Sequence, residues 1–228
     1  MNQINHHLSD ETLAEYASGA LTDALEVVVA CHLTLCPSCR ERAEFADEMG
    51  GYFIDSAEAA TPTLSANEML NKIRATPPAA NTESMSTTQM TEQAKNAAYM
   101  AGIPAPLAKR LTKNFDDLPW KWMAKGIHSY NLHEGKKSDG AFKLLKIQPG
   151  TELIEHTHGG HELTLILHGS YTDAYGHFGV GDIADFGPDD THKPVIDSSE
   201  PCIALIASNS PARFKGLVGK MIQPFVDI

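Results

Sequence analysis

The chain has 228 residues, 42% of them hydrophobic, and a formal net charge of -11 from 18 Lys and Arg against 29 Asp and Glu. That balance excludes nucleic-acid binding through a neutralised phosphate backbone, and no apolar run of about 18 residues is present to cross a bilayer. The opening "MNQINHHLSDE" lacks the basic start and apolar stretch of a secretory leader, so the chain reads as soluble and cytoplasmic, where a cysteine cluster is more readily metal-binding or redox-active than a staple.

Residues 1 to 75 read as helices. Ser9 caps the first, with Asp10 and Glu11 in the turn where acidic groups suit the helix dipole and Leu13, Tyr16 and Ala17 on one face; it stops near Gly19. Thr22 caps a second that carries Leu25, Val28, Val29, His32 and Leu33 at helical spacing. Pro37 opens a third that is expected to end at Gly50-Gly51. "SANE" at Ser65 to Glu68 is a capping box for a fourth, with Met69, Leu70 and Ile73 on its apolar face. These 75 residues hold 12 acidic and 4 basic side chains, so the acidity is concentrated in the first third. It forms either a solvated helical surface or an acidic face that steers a basic partner.

Within this part, "CHLTLCPSCR" gathers three of the four cysteines. If residues 23 to 35 are helical, His32 and Cys36 lie at i and i+4 on one face, and the turn Cys36-Pro-Ser-Cys39 brings the second sulfur beside the first. Zinc takes four ligands in a tetrahedron and favours thiolate with imidazole. The fourth is expected in "NHHLSD", from His6 or His7; His7 is preferred because it is closer to the fixed helix end at Ser9. The competing reading is a redox dithiol, which no thioredoxin-like strand precedes. Cys31 lies on another helical face and reads as a small buried apolar residue. A small helical core gains folding free energy directly from a structural zinc.

From Thr76 the text "TPPAANTESMSTTQMTEQ" is linker chemistry, and a short helix is expected between residues 88 and 101. Beyond about residue 115 short apolar runs follow: "FKLLKI", "ELTLIL", "DIADF", "KPVID" and "CIALIA", at spacings that predict a sandwich or barrel. The expected fold is therefore α plus all-β: a helical bundle at 1 to 80, a linker at 81 to 110 and a β-domain at 111 to 228.

"GTELIEHTHGGHELTLILHG", from Gly150 to Gly169, has the form G-x5-H-x-H-x3-E-x6-G, which matches the first cupin motif at every fixed position. Residues two apart on a strand share a face, so His156 and His158 project together, and the turn at Gly159-Gly160 returns Glu162 to the same interior. Cupins add a histidine from a second motif; "GDIADFGPDDTHKPV" supplies His192, although the Pro and Gly spacing is off by one and the closing Asn is absent. Three imidazoles and a carboxylate suit zinc, iron, manganese or nickel. His161 and His168 have no partner at ligand spacing, His177 lies in the turn "YGHFG", and "HELTL" fails the HExxH pattern at Leu165.

His32-x3-Cys36-x2-Cys39 with an upstream His resembles the zinc-binding anti-sigma domain, and its combination with a C-terminal cupin ending in "MIQPFVDI" resembles the ChrR family of zinc-dependent anti-sigma factors over nearly the whole chain. The resemblance implies that residues 1 to about 80 bind and occlude an extracytoplasmic-function sigma factor. It also implies that the cupin domain releases the sigma factor under singlet oxygen or organic hydroperoxide stress. The chain departs from the family in its long segment between about 80 and 105 and in carrying Cys31. The competing expectation is a dioxygenase-like cupin metalloenzyme with an accessory zinc domain. Against it, no further acid, base or nucleophile stands at readable spacing, so the chain is read as a regulator with no catalytic residues.

Overall fold

The computed structural model describes residues 3–58, 63–76, 103–111, 113–132, 140–211 and 213–214. The expected helix at 88 to 101 lies outside them. Helix α1 (Asp10–Ala17) starts where Ser9 accepts the Thr12 N–H and ends ahead of Gly19, whose φ of 68° is a left-handed stop. Helix α2 (Asp23–Leu35) follows Thr22, which stands at the cap without a side-chain bond. A single residue, Cys36, separates it from α3 (Pro37–Ser56). Helix α4 (Ala66–Ala75) carries the full Ser65–Glu68 capping box.

The end expected at Gly50-Gly51 is a misreading: α3 continues through both glycines to Ser56. Neither glycine has positive φ, so neither breaks the turn, and a glycine inside a helix costs only about 1 kcal/mol against alanine.

Among the described residues the C-terminal part holds eleven strands: β1 (Lys121–Ala124), β2 (Ile127–Asn131), β3 (Phe142–Ile147), β4 (His156–Thr157), β5 (Glu162–His168), β6 (Tyr171–Asp173), β7 (Gly176–Phe178), β8 (Ile183–Phe186), β9 (Thr191–His192), β10 (Cys202–Ser208) and β11 (Arg213–Phe214). A six-stranded antiparallel sheet runs in the order β1-β2-β3-β10-β5-β8, faced by the three strands β11-β4-β9 and the β6-β7 pair. "KPVID" is not a strand: Pro194 has no N–H to give a ladder, and Val195 makes only isolated bridges to Glu152 and Thr172.

Both faces of the main sheet are apolar. Leu145, Ile147, Ile166, Ala204 and Ile206 point into a core shared with Tyr171, Phe178 and Phe186. The alternate residues, Leu144, Leu163, Leu165, Ile203 and Leu205, form a second core with Leu8, Leu13, Leu25, Val28 and Val29 of the helical part. Helix α2 is laid on β5 and β10, and the short helix α5 (Ala105–Ala108) packs on α2 with Leu107 fully buried. At roughly 1.5–3 kcal/mol per fully buried Leu or Val, this face holds the two parts together as one core.

Candidate metal centres

The first cluster forms where the extended N-terminal segment crosses the α2–α3 junction. His7, His32, Cys36 and Cys39 each offer one atom, all within 4.8 Å of one another. His7 Nδ1 lies 3.3 Å from Cys36 Sγ and 3.5 Å from Cys39 Sγ. Arg42 donates to the Leu8 carbonyl at 2.8 Å and pairs with Asp10, which holds this segment against α3. His32 is wholly buried; its Nδ1 lies 3.0 Å from the Gly181 carbonyl and must donate there, so Nε2 carries the lone pair. That Nε2 is buried with no hydrogen-bond partner, which is costly unless an ion takes its place.

Electrostatics agree. Burial, partly offset by the Gly181 bond, lowers His32 to about 4, so the ring is a neutral donor at pH 7. Burial pushes the Cys39 thiol up to about 11, which only a cation would reverse. His6 is directed elsewhere: its ring stacks on Phe178 at 3.9 Å. Cys31 is fully buried, with its thiol pushed by burial up to about 12.

The second cluster lies inside the barrel. His156, His158, Glu162 and His192 are all buried, with one ligand atom each within 4.8 Å of the others. His156 and His192 are register partners on β4 and β9, and Glu162 opens β5 on its inward face. His156 Nδ1 lies 2.9 Å from the Ile154 carbonyl and His192 Nδ1 lies 2.9 Å from Asp173 Oδ2. Both Nδ1 atoms therefore donate, leaving two Nε2 lone pairs facing each other at 3.0 Å. Facing lone pairs repel unless a cation lies between them. His158 Nδ1 is 3.1 Å from Glu162 Oε2 without hydrogen-bond geometry, and its Nε2 has no hydrogen-bond partner. Burial and the neighbouring His192 lower His156 to about 4. Although burial pushes Glu162 up, the surrounding imidazoles hold it below the usual carboxylate range. A cavity of about 30 Å³ adjoins the cluster, walled by Leu145, Ile147 and Ile206 among others.

Both donor sets fit a metal: two sulfurs with two imidazoles in one, three imidazoles with a carboxylate in the other. Two features were not anticipated from the sequence. His161 donates to Asp185 at 2.8 Å in the contact between the two parts. From the middle of α3 onward, Phe45, Met49, Tyr52 and Phe53 line one face at i, i+4, i+7 and i+8, all exposed. The spacing was present in the sequence, but reading the glycine pair as a stop cut the stripe in two.

A family model described as the ChrR Cupin-like domain matches residues 108–211. The Anti-sigma-E factor ChrR of Cereibacter sphaeroides is 34% identical over 225 residues, 99% of each chain. The solved structure of Rhodobacter sphaeroides SigE in complex with the anti-sigma ChrR is similar at 31% identity and a TM-score of 0.69, covering 90% of this chain and 99% of that one.

Proposed function

The chain belongs to the ChrR family of anti-sigma factors, and on that premise we propose that it is a regulator, not an enzyme, whose helical part binds and inhibits an extracytoplasmic-function sigma factor in the cytoplasm. The observation that carries this reading is the apolar stripe on α3, which the described residues leave open, with Phe45, Tyr52 and Phe53 each more than 60% exposed. Helix α4 adds Met69, Leu70 and Ile73, and none of its residues is buried. Apolar surface of this extent marks a docking site, and aromatic side chains are the usual anchors of one. Glu41, Glu44, Asp47, Glu48 and Asp55 flank the stripe and are exposed, which favours a partner with a basic face.

In this reading residues 1 to 80 are the clamp, 81 to 110 the linker and 111 to 228 the cupin domain. Zinc at His7, His32, Cys36 and Cys39 ties the N-terminal segment to the α2–α3 junction and supplies folding free energy. Zinc or another divalent transition metal at His156, His158, Glu162 and His192 makes the cupin interior the receiver of singlet oxygen or organic hydroperoxide stress.

The test is co-expression with the sigma factors of the same genome, read by sigma-dependent transcription. The chain should lower transcription from one of them and co-purify with it. Phe45→Asp combined with Phe53→Asp should restore transcription at least tenfold while both clusters keep their metal. If the unaltered chain represses no sigma factor, the anti-sigma reading fails; if the double variant still represses, docking does not use the stripe.

A further inference from the structure

The cupin part orients the His32 imidazole and holds the backbone on both sides of His7. The turn between β7 and β8 presents its Gly181 carbonyl to His32 Nδ1 at 3.0 Å, which aims Nε2 towards the cysteines. The next residue, Asp182, is 2% exposed. Its Oδ1 accepts the backbone N–H groups of Asn5 at 2.6 Å and His6 at 2.9 Å, directly ahead of His7. Its Oδ2 accepts the Gly179 N–H at 2.8 Å and so braces the turn. On the far side of His7, Asp185 accepts the Ser9 N–H at 2.9 Å and the Thr12 hydroxyl at 2.8 Å. The His6 ring completes the grip by stacking on Phe178, which stacks on Tyr171 at 4.8 Å.

We propose that the β7–β8 turn is the outer sphere of the N-terminal metal site, with Asp182 as its positioning residue, so that the clamp holds its metal with full affinity only while the cupin part is docked. The proposal rests on the reading of His7, His32, Cys36 and Cys39 as metal ligands. A buried carboxylate receiving two consecutive backbone N–H groups fixes the path of the chain into His7, as a carbonyl on Nδ1 fixes tautomer and ring plane at His32. Gly181 is required there: its φ is 93°, and a Cβ would come within 2.9 Å of the Ile4 side chain. Coupling between two equilibria is reciprocal, so metal at the cluster strengthens docking by the same factor that docking strengthens metal binding. β8 continues to Phe186, whose ring lies 5.7 Å from that of His158 and 4.8 Å from that of His192, so one strand borders both clusters.

The test uses the full chain loaded with zinc, titrated against a chromophoric chelator, and the same proteins loaded with cobalt. Asp182→Ala should weaken zinc at the N-terminal cluster 10- to 100-fold, the range for losing an outer-sphere partner, and should shift the cobalt–thiolate absorption. Gly181→Ala should act in the same direction. Asp182→Asn keeps an acceptor for Asn5 and His6 and should recover most of the affinity. Arg110→Ala is the control. It removes a 2.7 Å ion pair to Asp23 of α2, away from the metal, so it loosens docking without reorienting a ligand. It should leave the cobalt spectrum unchanged and the affinity within about threefold, a limit set by the modest strength of a part-exposed pair. Metal content at the cupin cluster reports whether each variant has folded, and Gly181→Ala and Asp182→Asn carry the comparison if Asp182→Ala does not accumulate. Wild-type zinc affinity and an unchanged cobalt spectrum in the Gly181 and Asp182 variants would overturn the proposal. Unchanged zinc stoichiometry in a Cys36→Ser, Cys39→Ser protein would instead overturn the metal-site reading beneath it.

Discussion

The two clusters are built from opposite materials. In the cupin part the donors ride on paired strands: His156 faces His192 across a β4–β9 ladder, and Glu162 opens a seven-residue strand flanked on both sides by neighbours. Backbone hydrogen bonds fix those positions before any ion arrives. In the helical part the donors come from an extended segment, the last turn of α2, a one-residue junction and the first turn of α3. Within the helical part Arg42, the burial of Leu8 and the Ser9 cap hold the segment around His7; among the described residues it is also gripped by Asp182, Asp185 and Phe178 of the other part. The difference teaches that an ion at the cupin cluster would complete a framework already made, while one at the N-terminal cluster would help to make its framework.

The largest expected effect follows from that contrast. Cys36→Ser with Cys39→Ser should abolish zinc binding at the N-terminal cluster, which in structural sites is worth roughly 10 kcal/mol or more at pH 7. Helical ellipticity should fall and sigma affinity should drop at least 100-fold. Cupin metal content should stay, because its donors ride on paired strands, whereas the fluorescence of Trp120, which packs against the core that both parts share, should change. Wild-type sigma binding by this variant would erase the contrast, because zinc would then organise nothing. Between the two neighbouring histidines, His7→Ala should cost far more zinc affinity than His6→Ala, whose ring stacks on Phe178 and meets the His177 carbonyl at 3.0 Å.

A smaller effect common to both regions is acid lability. His32 and His156 are each lowered to about 4, burial being the leading cause. Because both folded values lie below the unfolded value of about 6.5, the unfolded chain binds protons first as pH falls. The contribution of these two groups should therefore be level above about pH 7 and decline between about 6.5 and 4, each adding a slope of up to about 1.4 kcal/mol per pH unit. His161 runs the other way. Its hydrogen bond to the Asp185 carboxylate raises it, so its contribution is present below its unfolded value and is lost as pH rises through its folded one. Urea unfolding at several pH values, followed by helical ellipticity and by tryptophan fluorescence, checks both sign and sharing. Coincident transitions are expected, because the two parts share one core. A stability that rises as pH falls from 6.5 to 4 would contradict the account.

What could be read in the sequence was local chemistry. Ser9, Pro37 and the Ser65–Glu68 box mark helix starts because a cap is satisfied within three residues, and the donors close in sequence, His32, Cys36 and Cys39 in one set and His156, His158 and Glu162 in the other, were legible from spacing, with His7 and His192 brought to them by the fold. What could not be read depends on residues 176 apart, such as the bonds that the His6 and Ser9 N–H groups donate to Asp182 and Asp185, for which no spacing rule exists. A signal for the docked helix was nonetheless present. "ELTLIL" and "CIALIA" are apolar almost without alternation, which a half-solvated strand would not be, and both of their faces are in fact covered. The glycine pair misled for the opposite reason: a local rule was applied where the backbone stays helical.

The smallest effect on stability should accompany the sharpest effect on function, and it falls on the preformed cluster. Glu162→Gln keeps the side chain's shape and removes the only carboxylate from the cupin donor set, and His158→Ala removes a ring with a buried Nε2 that has no hydrogen-bond partner. Metal should be lost from the barrel in both, while the strands that position it remain paired. For Glu162→Gln the change in unfolding free energy should stay within about 1–2 kcal/mol, the ordinary range for a single substitution. The N-terminal zinc should be untouched and sigma should remain bound. If the stress signal enters through this ion, a sigma-dependent reporter should then show low basal activity and no induction by singlet oxygen or a hydroperoxide. Variants that accumulate normally, lack the cupin metal and still induce would remove the ion from sensing. Variants that unfold and free sigma constitutively would show instead that the ion stabilises the barrel, and the two clusters would prove to be made of the same material after all.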